Sequence, residues 1–542
     1  MSYRASHVRG SPSSPQLWLG SFAFVTVFMV VLCVFFEPRW ETNDDVAMSM
    51  VAGGYGLAAT GTPNLVFSNT VWGYLVRLIP QIGGTSGYSI ATIGVLVAVG
   101  TVITHGLVRL GLGYLGTISV VALILARPIV LPQFTINAGL LMVGAVMCWQ
   151  LYARHDDRRA LLTGCLFAFL SYLVRSLEFV LVLAVALPVL PWQELLTRRA
   201  ARFAAVALAV AIAISAVIDH RAYQGPEWTT FKELDSARTP YTDFRADARL
   251  KQRPDILDRH QYSINDVDLI GNWFYVDQGL ANPTTLKAML NELGPLPAKE
   301  FALIHVRAGM QIFWHSVLTP IFLAACLLAL LRPSWKTATI WILCIGAVLV
   351  MGVAGRPGVA RVCMPLACLL LIAPFFSRQP VTGARSEQWR YALAVVVMLV
   401  AAVFNASLVF SDSRSLHGVD ASKRVGIAGF PTDPVIVWGG AFPFQAVYPV
   451  LGPPLHVGRL QLYGLGVLTW APFTVSYSEH GAGRGLTARL VEDQGVPIVG
   501  GEHHFVYLDN YCKEHLRGKL HVISVQPFGV RNIRTVRCVQ AG

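Results

Sequence analysis

The stretch LWLGSFAFVTVFMVVLCVFFEPRWETNDD, residues 17–45, decides how this chain is read. Leu17 to Phe36 carries no charge and is about the length needed to span a bilayer. Residues 1–15 are polar, with Arg4 and Arg9, and no small-residue cleavage pattern precedes Glu37-Pro38-Arg39. The run is therefore expected to be an uncleaved helix with a cytoplasmic N-terminus. It leads into Trp40-Glu41-Thr42-Asn43-Asp44-Asp45, which opens a weakly amphipathic segment from Val46 to Tyr55. Two adjacent carboxylates thus sit at a membrane surface, where ionisable groups are by default functional. Asn43 or Asp44 would equally serve as a helix N-cap, whose side-chain oxygen accepts from free backbone N–H groups. The residues leave both roles open.

Working outward, hydrophobic residues make up 54% of the 542-residue chain and charged residues only 14%, against roughly a quarter charged in soluble domains. That is the composition of a polytopic α-helical membrane protein. Lys and Arg outnumber Asp and Glu by 43 to 31, but the excess lies at the ends of apolar runs, which is the positive-inside pattern and not a nucleic-acid surface. After the acidic loop, Asn64 to Ile82 is broken by Asn69, Arg77 and Pro80 and is expected to be a second surface or re-entrant helix. Spans are expected at about 86–108, 115–132, 137–153, 160–174, 177–193, 203–218, 308–331, 338–354, 359–377 and 391–410, making about eleven crossings with the first.

Arg109, Arg154, Arg158, Arg159, Arg198, Arg199, Arg202, Arg332, Lys336, Arg378, Arg385 and Arg390 all fall on the side of Arg4 and Arg9. The opposite short turns carry Arg175, Arg356 and Arg361, exceptions that an anionic partner would explain. The expected organisation is a transmembrane domain over 1–410, with exported loops at 37–84 and 219–307, and an extracytoplasmic mixed α/β domain over 411–542. The tail is expected to place strands at Val435 to Trp438, Gly495 to Val499, His504 to Leu508 and Leu520 to Val525, with a short helix near Leu486 to Glu492. Cys512 and Cys538 are the two cysteines outside apolar runs, and an oxidising compartment would let them pair.

The exported face then gathers Asp44 and Asp45, Arg175 and Glu178, Arg356 and Arg361, and the charged, aromatic loop after Asp219. Arginine clamps phosphate in a bidentate way, and a carboxylate takes the proton of an attacking hydroxyl. Such a set suits a lipid-linked phosphosugar whose tail stays in the bilayer. Plainer roles are an i,i+3 neutralising pair for Arg175 and Glu178 and headgroup snorkelling for Arg356 and Arg361.

The order of parts resembles the GT-C superfamily of membrane glycosyltransferases. The resemblance rests on a first helix followed by Asn43-Asp44-Asp45 in an exported loop, two surface helices, many spans and an exported C-terminal domain. Tyr172-Leu173-Val174-Arg175-Ser176-Leu177-Glu178 resembles the Arg-containing helix turn of those enzymes, and Gly355-Arg356-Pro357 with Arg361-Val362-Cys363-Met364-Pro365 resembles their Arg-bearing turn before a late span. It implies a polyprenyl-phosphate sugar donor, transfer to an envelope glycan or protein on the exported face, Asp44 or Asp45 as general base, and Arg175, Arg356 and Arg361 on the donor phosphate. Asn43, Glu178, Tyr241 and Asp277 are further site candidates. The Asn-Asp-Asp form is also similar to that of bacterial arabinofuranosyltransferases. The tail lacks the Trp-Trp-Asp signature of the oligosaccharyltransferase branch, which argues against a sequon acceptor. His503, His504, His515 and His521 match no standard metal spacing, and participation of a divalent metal stays open. The rival reading is a transporter or flippase of an anionic or lipid-linked substrate, which would place its charges near the midplane and show repeat symmetry.

Overall fold

Each of the eleven apolar runs is helical in the computed structural model, which describes residues 14–294, 298–355, 358–377, 385–454 and 460–540. The membrane part opens with α1 (Ser14–Phe36), the two short helices α2 (Asn43–Gly53) and α3 (Thr70–Leu78), then α4 (Gly87–Arg109), α5 (Tyr114–Val130), α6 (Phe134–His155), α7 (Arg158–Val174) and α8 (Ser176–Ala186). Six helices are long and apolar enough to cross a bilayer: α1, α4, α6, and those at Arg199–Ala222, Trp335–Val353 and Arg385–Lys423. The pair Leu303–Trp314 and Thr319–Leu331, bent by 79° at the intervening break, makes a seventh. The chain is a multi-pass helical membrane protein.

Burial sorts the helices. α6 is enclosed along its length, with Leu140, Leu141, Val143 and Val146 fully out of solvent. Helix Arg199–Ala222 instead exposes Phe203, Val206, Val210 and Ile214, the apolar surface that a soluble fold would hide and a bilayer covers. At the C-terminal end of α6, Arg198 pairs with Asp156 at 2.8 Å, Arg154 donates to the Phe376 carbonyl at 2.5 Å, and Arg332 lies over the Phe375 ring. Three of the basic residues assigned to one face, Arg154, Arg198 and Arg332, therefore gather at one end of the bundle.

At the opposite end, Arg39 makes a two-point pair with Asp420, and Arg127 holds Asp412 at 2.6 Å and Glu41 at 3.1 Å. These bonds tie the acidic loop to the helix Arg385–Lys423, which continues past residue 411. Beyond the membrane helix Arg199–Ala222 comes a small helical module: Thr229–Asp243, Ala246–Leu250, Pro254–His260, Ile264–Gly271 and Pro283–Leu293.

The C-terminal module is a five-stranded mixed sheet of β1 (Val435–Trp438), β2 (Leu462–Leu465), β3 (Val496–Val499), β4 (Gly518–Phe528) and β5 (Arg531–Gln540), in the order β2-β1-β3-β5-β4. β1 is parallel to β2 and to β3, and β5 is antiparallel to β3 and β4. One expected strand is wrong: His504 to Leu508 belongs to the helix Glu502–His515. The buried set His504, Phe505, Leu508, Tyr511 and Cys512 has helical spacing, which five residues are too few to reveal. Cys512 and Cys538 are joined in a disulfide with Cα atoms 5.7 Å apart, tying that helix to β5.

The C-terminal module is held over α2 by backbone bonds. Leu462 N–H donates to the Gly56 carbonyl at 2.9 Å, Ala59 N–H to Phe473 at 2.8 Å, and Val475 N–H to Leu57 at 3.0 Å. It meets the helical module through indole N–H groups: Trp438 donates to the Asn272 carbonyl and Trp470 to that of Tyr275, both at 2.6 Å.

Candidate functional site

The acidic stretch turns into α2 one residue earlier than its capping pattern suggests. Thr42 takes the N-cap position with extended backbone and no side-chain capping bond, so Asn43, Asp44 and Asp45 occupy the first turn rather than the cap. Carboxylates are favoured there by the helix dipole. Helical geometry then separates the neighbours by about 100°. Asp45 points inward and is fully buried, accepting from Thr42 Oγ1 at 2.9 Å, from Tyr88 hydroxyl at 3.0 Å and from Phe134 N–H at 3.0 Å. Burial pushes its carboxyl up to about 7, against three hydrogen bonds that favour the ionised form. Asp44 is partly exposed and lies 3.8 Å from Arg361 Nη1.

Asp44 and Arg361 line a cavity of about 1140 Å³ between the end of the helix bundle and the two extramembrane modules. The same cavity takes Asn43, Arg175 and Glu178, so five of the residues singled out in the sequence share one space. Arg175 is an extended residue (φ −160°, ψ 103°) between α7 and α8. Its guanidinium sits over the Phe134 ring at 4.9 Å. The break is held by the strap before α3: Ser68 hydroxyl donates to the Val174 carbonyl at 2.8 Å and Asn69 N–H to that of Leu173 at 2.9 Å, satisfying acceptors that the end of α7 frees. Glu178, in the first turn of α8, is 2% exposed. Its Oε1 and Asn43 Oδ1 have no hydrogen-bond partner among the described residues.

Three helix N-termini thus open on one cavity: those of α2, of α8 and of Ala360–Ile372, which carries Arg361 in its first turn. Gly355 and Gly358 belong to the same lining; Arg356 between them lies outside the described residues.

Two candidates sit elsewhere. Tyr241 is buried and donates to the Leu286 carbonyl at 2.8 Å. Asp277 caps its own loop through Gly279 N–H and accepts from Tyr511 hydroxyl at 2.6 Å. From that loop the cavity takes instead Asp235, Arg238, Thr239, Asp243 and Trp273. Asp235, Thr239 and Asp243 repeat every four residues on one helix face, a signal the sequence carried. Arg238 is 5% exposed, pairs with Asp235 and lies over the Trp273 ring at 5.0 Å. The lining also takes the ends of β1 and β2, with Gly439, Gly440, Gly464 and Gly466. Among the described residues, the group with metal-ligand proximity is Asp266, Glu514 and His515, at the junction of the two modules and outside the cavity lining. His504 stacks on Trp438 at 4.6 Å and accepts from Gly501 N–H.

No protein-family model matches the chain, and no curated protein matches it. Among solved structures it is similar to ArnT from Cupriavidus metallidurans bound to undecaprenyl phosphate, with TM-score 0.39 and 11% identity over 97% of this chain and 98% of that one. The same protein in the apo state gives TM-score 0.38 and 12% identity over the same shares.

Proposed function

We propose that this protein is a membrane glycosyltransferase that moves a sugar from a polyprenyl-phosphate donor to a hydroxyl of a cell-envelope acceptor, on the extracytoplasmic side of a bacterial inner membrane. The observation that carries the reading is the convergence of Asp44, Arg175 and Arg361 with three helix N-termini on one cavity at the bundle end. Guanidinium groups and helix N-termini both favour a phosphate. Asn43 Oδ1 and Glu178 Oε1 offer acceptors to sugar hydroxyls. In the reaction the acceptor oxygen bonds to the anomeric carbon, the bond from that carbon to the phosphate oxygen breaks, and polyprenyl phosphate leaves with the electron pair. Asp44 takes the acceptor proton. Its partial exposure and cavity position support it over Asp45, whose bonds to Thr42, Tyr88 and Phe134 suit a positioning role. Arg175 and Arg361 hold the phosphate, with Arg356 as a third.

The disulfide in the C-terminal module supports the extracytoplasmic assignment, since such bonds persist in oxidising compartments. A transporter would hold its charges at mid-membrane, whereas Asp44, Glu178 and Arg361 all lie in first turns of helices at one end. The Asn43-Asp44-Asp45 form favours a pentofuranose as the sugar transferred.

The test is a transfer assay with a polyprenyl-phosphate pentofuranose on folded variants. Asp44→Asn is expected to lose roughly 10²–10⁴-fold in rate, and Arg175→Lys or Arg361→Lys to raise the donor KM, because lysine cannot reproduce the fork. Transfer by Asp44→Asn at the wild-type rate overturns the assignment of the base.

A further inference from the structure

We infer that the part of the cavity lining made by Asp235, Arg238 and Trp273 with the glycine turns after β1 and β2 is a saccharide-binding subsite for the acceptor. The inference rests on the glycosyltransferase reading for the word acceptor; binding of a saccharide stands on the wall itself.

Trp273 supplies the first argument. It follows the helix Ile264–Gly271 at φ +70°, the left-handed conformation that favours glycine. A bulky residue there is strained, and such strain persists where the surroundings use the side chain. Trp273 lines the cavity, and Arg238, itself almost fully buried, is stacked on its ring at 5.0 Å. Fixed aromatic faces suit the C–H face of a sugar ring, while Asp235 and Arg238 offer acceptor and donor atoms to hydroxyls.

The backbone supplies the second. β1 and β2 are parallel with Trp438 paired to Leu465, so their carboxyl ends lie side by side, the edge at which parallel sheets bind ligands. Each runs straight into glycine, Gly439-Gly440 after β1 and Gly466 after β2. A Cβ built at Gly440 or at Gly466 meets no atom within 4 Å. The chain here keeps bare backbone although the fold has room for side chains, which lets a sugar ring approach the peptide groups.

The experiment measures binding without turnover: saturation-transfer NMR on the full-length protein in nanodiscs, with methyl glycosides of pentofuranose and hexopyranose disaccharides as probes. Trp273→Gly relieves the left-handed backbone while deleting the ring. Gly466→Val adds a side chain in open space. Both are expected to unfold at or near the wild-type temperature and to weaken probe binding tenfold or more. Wild-type protein that gives no transfer to any probe, or folded variants of both kinds that bind as wild type does, overturns the subsite. Probe binding without any turnover of a polyprenyl-phosphate sugar would leave the subsite standing and count against the glycosyltransferase reading instead.

Discussion

A carboxyl group out of contact with water is harder to ionise than one in solvent, even where, as at Asp45, the Tyr88 hydroxyl and Thr42 donate to its charged form. For Asp45 the folded value of about 7 lies above the ordinary 3.8, so the folded protein keeps a proton that the unfolded chain has released. That contribution to stability is fully present below about 3.8 and is lost as pH rises through about 7. Asp45→Asn keeps an acceptor for Tyr88 and Phe134 and does not titrate. Thermal unfolding of wild type in detergent should therefore fall from pH 5 to pH 8 relative to Asp45→Asn, while the variant retains transfer. Parallel melting curves across that range would remove this account of Asp45. The sequence displayed the two carboxylates as a pair and gave no means of dividing them. What divides them is Tyr88 and the Phe134 N–H, 43 and 89 positions away, and no local pattern reports a contact at that distance.

Among elements, the break between α7 and α8 is the one most dependent on its surroundings. A single extended residue between two helices leaves carbonyls at the end of α7 without partners, and the strap carrying Ser68 and Asn69 supplies them. Ser68 is buried, and Ser68→Ala leaves the Val174 carbonyl without that donor, at a cost of about 1 kcal/mol. Because the strap also sets where Arg175 stands, Ser68→Ala should raise the donor KM by less than Arg175→Lys does, with kcat little changed. An unchanged KM would mean that the α7–α8 junction holds Arg175 unaided. The turn itself was legible, since Arg175 and Glu178 interrupt an otherwise apolar run. Its strap was not, because Asn64 to Ile82 displays broken amphipathicity and nothing of what it touches. The tail shows the same boundary: β1 and β3 were legible as β-branched runs between turns, whereas β2, four residues long, lies between Gln461 and Gly466 without a period to mark it.

At the scale of the whole molecule, the cavity is closed by two modules that meet through polar and ionisable side chains rather than through sheet pairing. His515 Nε2 lies 2.8 Å from buried Asp266, Ser263 hydroxyl donates to Glu514 at 2.8 Å, Asn265 donates to the Tyr507 carbonyl at 3.1 Å, and Tyr511 reaches Asp277. Arg154, Arg198 and Arg332, expected on one side from their charge, do meet at one end of the bundle, but pairs such as Asp266 with His515, 249 residues apart, belong to the docking and not to either segment. The Asp266 carboxylate beside His515 raises the imidazole above its ordinary 6.5, with Asp277 and Glu514 adding to the same direction and partial burial opposing it. A histidine raised on folding contributes stability that is fully present below 6.5 and is lost as pH rises through its folded value. The junction should therefore loosen toward alkaline pH. Amide hydrogen exchange in the helices Ile264–Gly271 and Glu502–His515, corrected for the intrinsic rate, should show less protection at pH 9 than at pH 6 in wild type. His515→Gln should show the weaker protection at both. The disulfide between Cys512 and Cys538 ties the second of these helices to β5 at either pH, so the loss should appear as separation of the modules and not as unfolding of the sheet, whose strands β3 and β5 keep their protection. Equal protection of the two junction helices at pH 6 and pH 9 in wild type would show that the indole and backbone bonds alone hold the cavity closed.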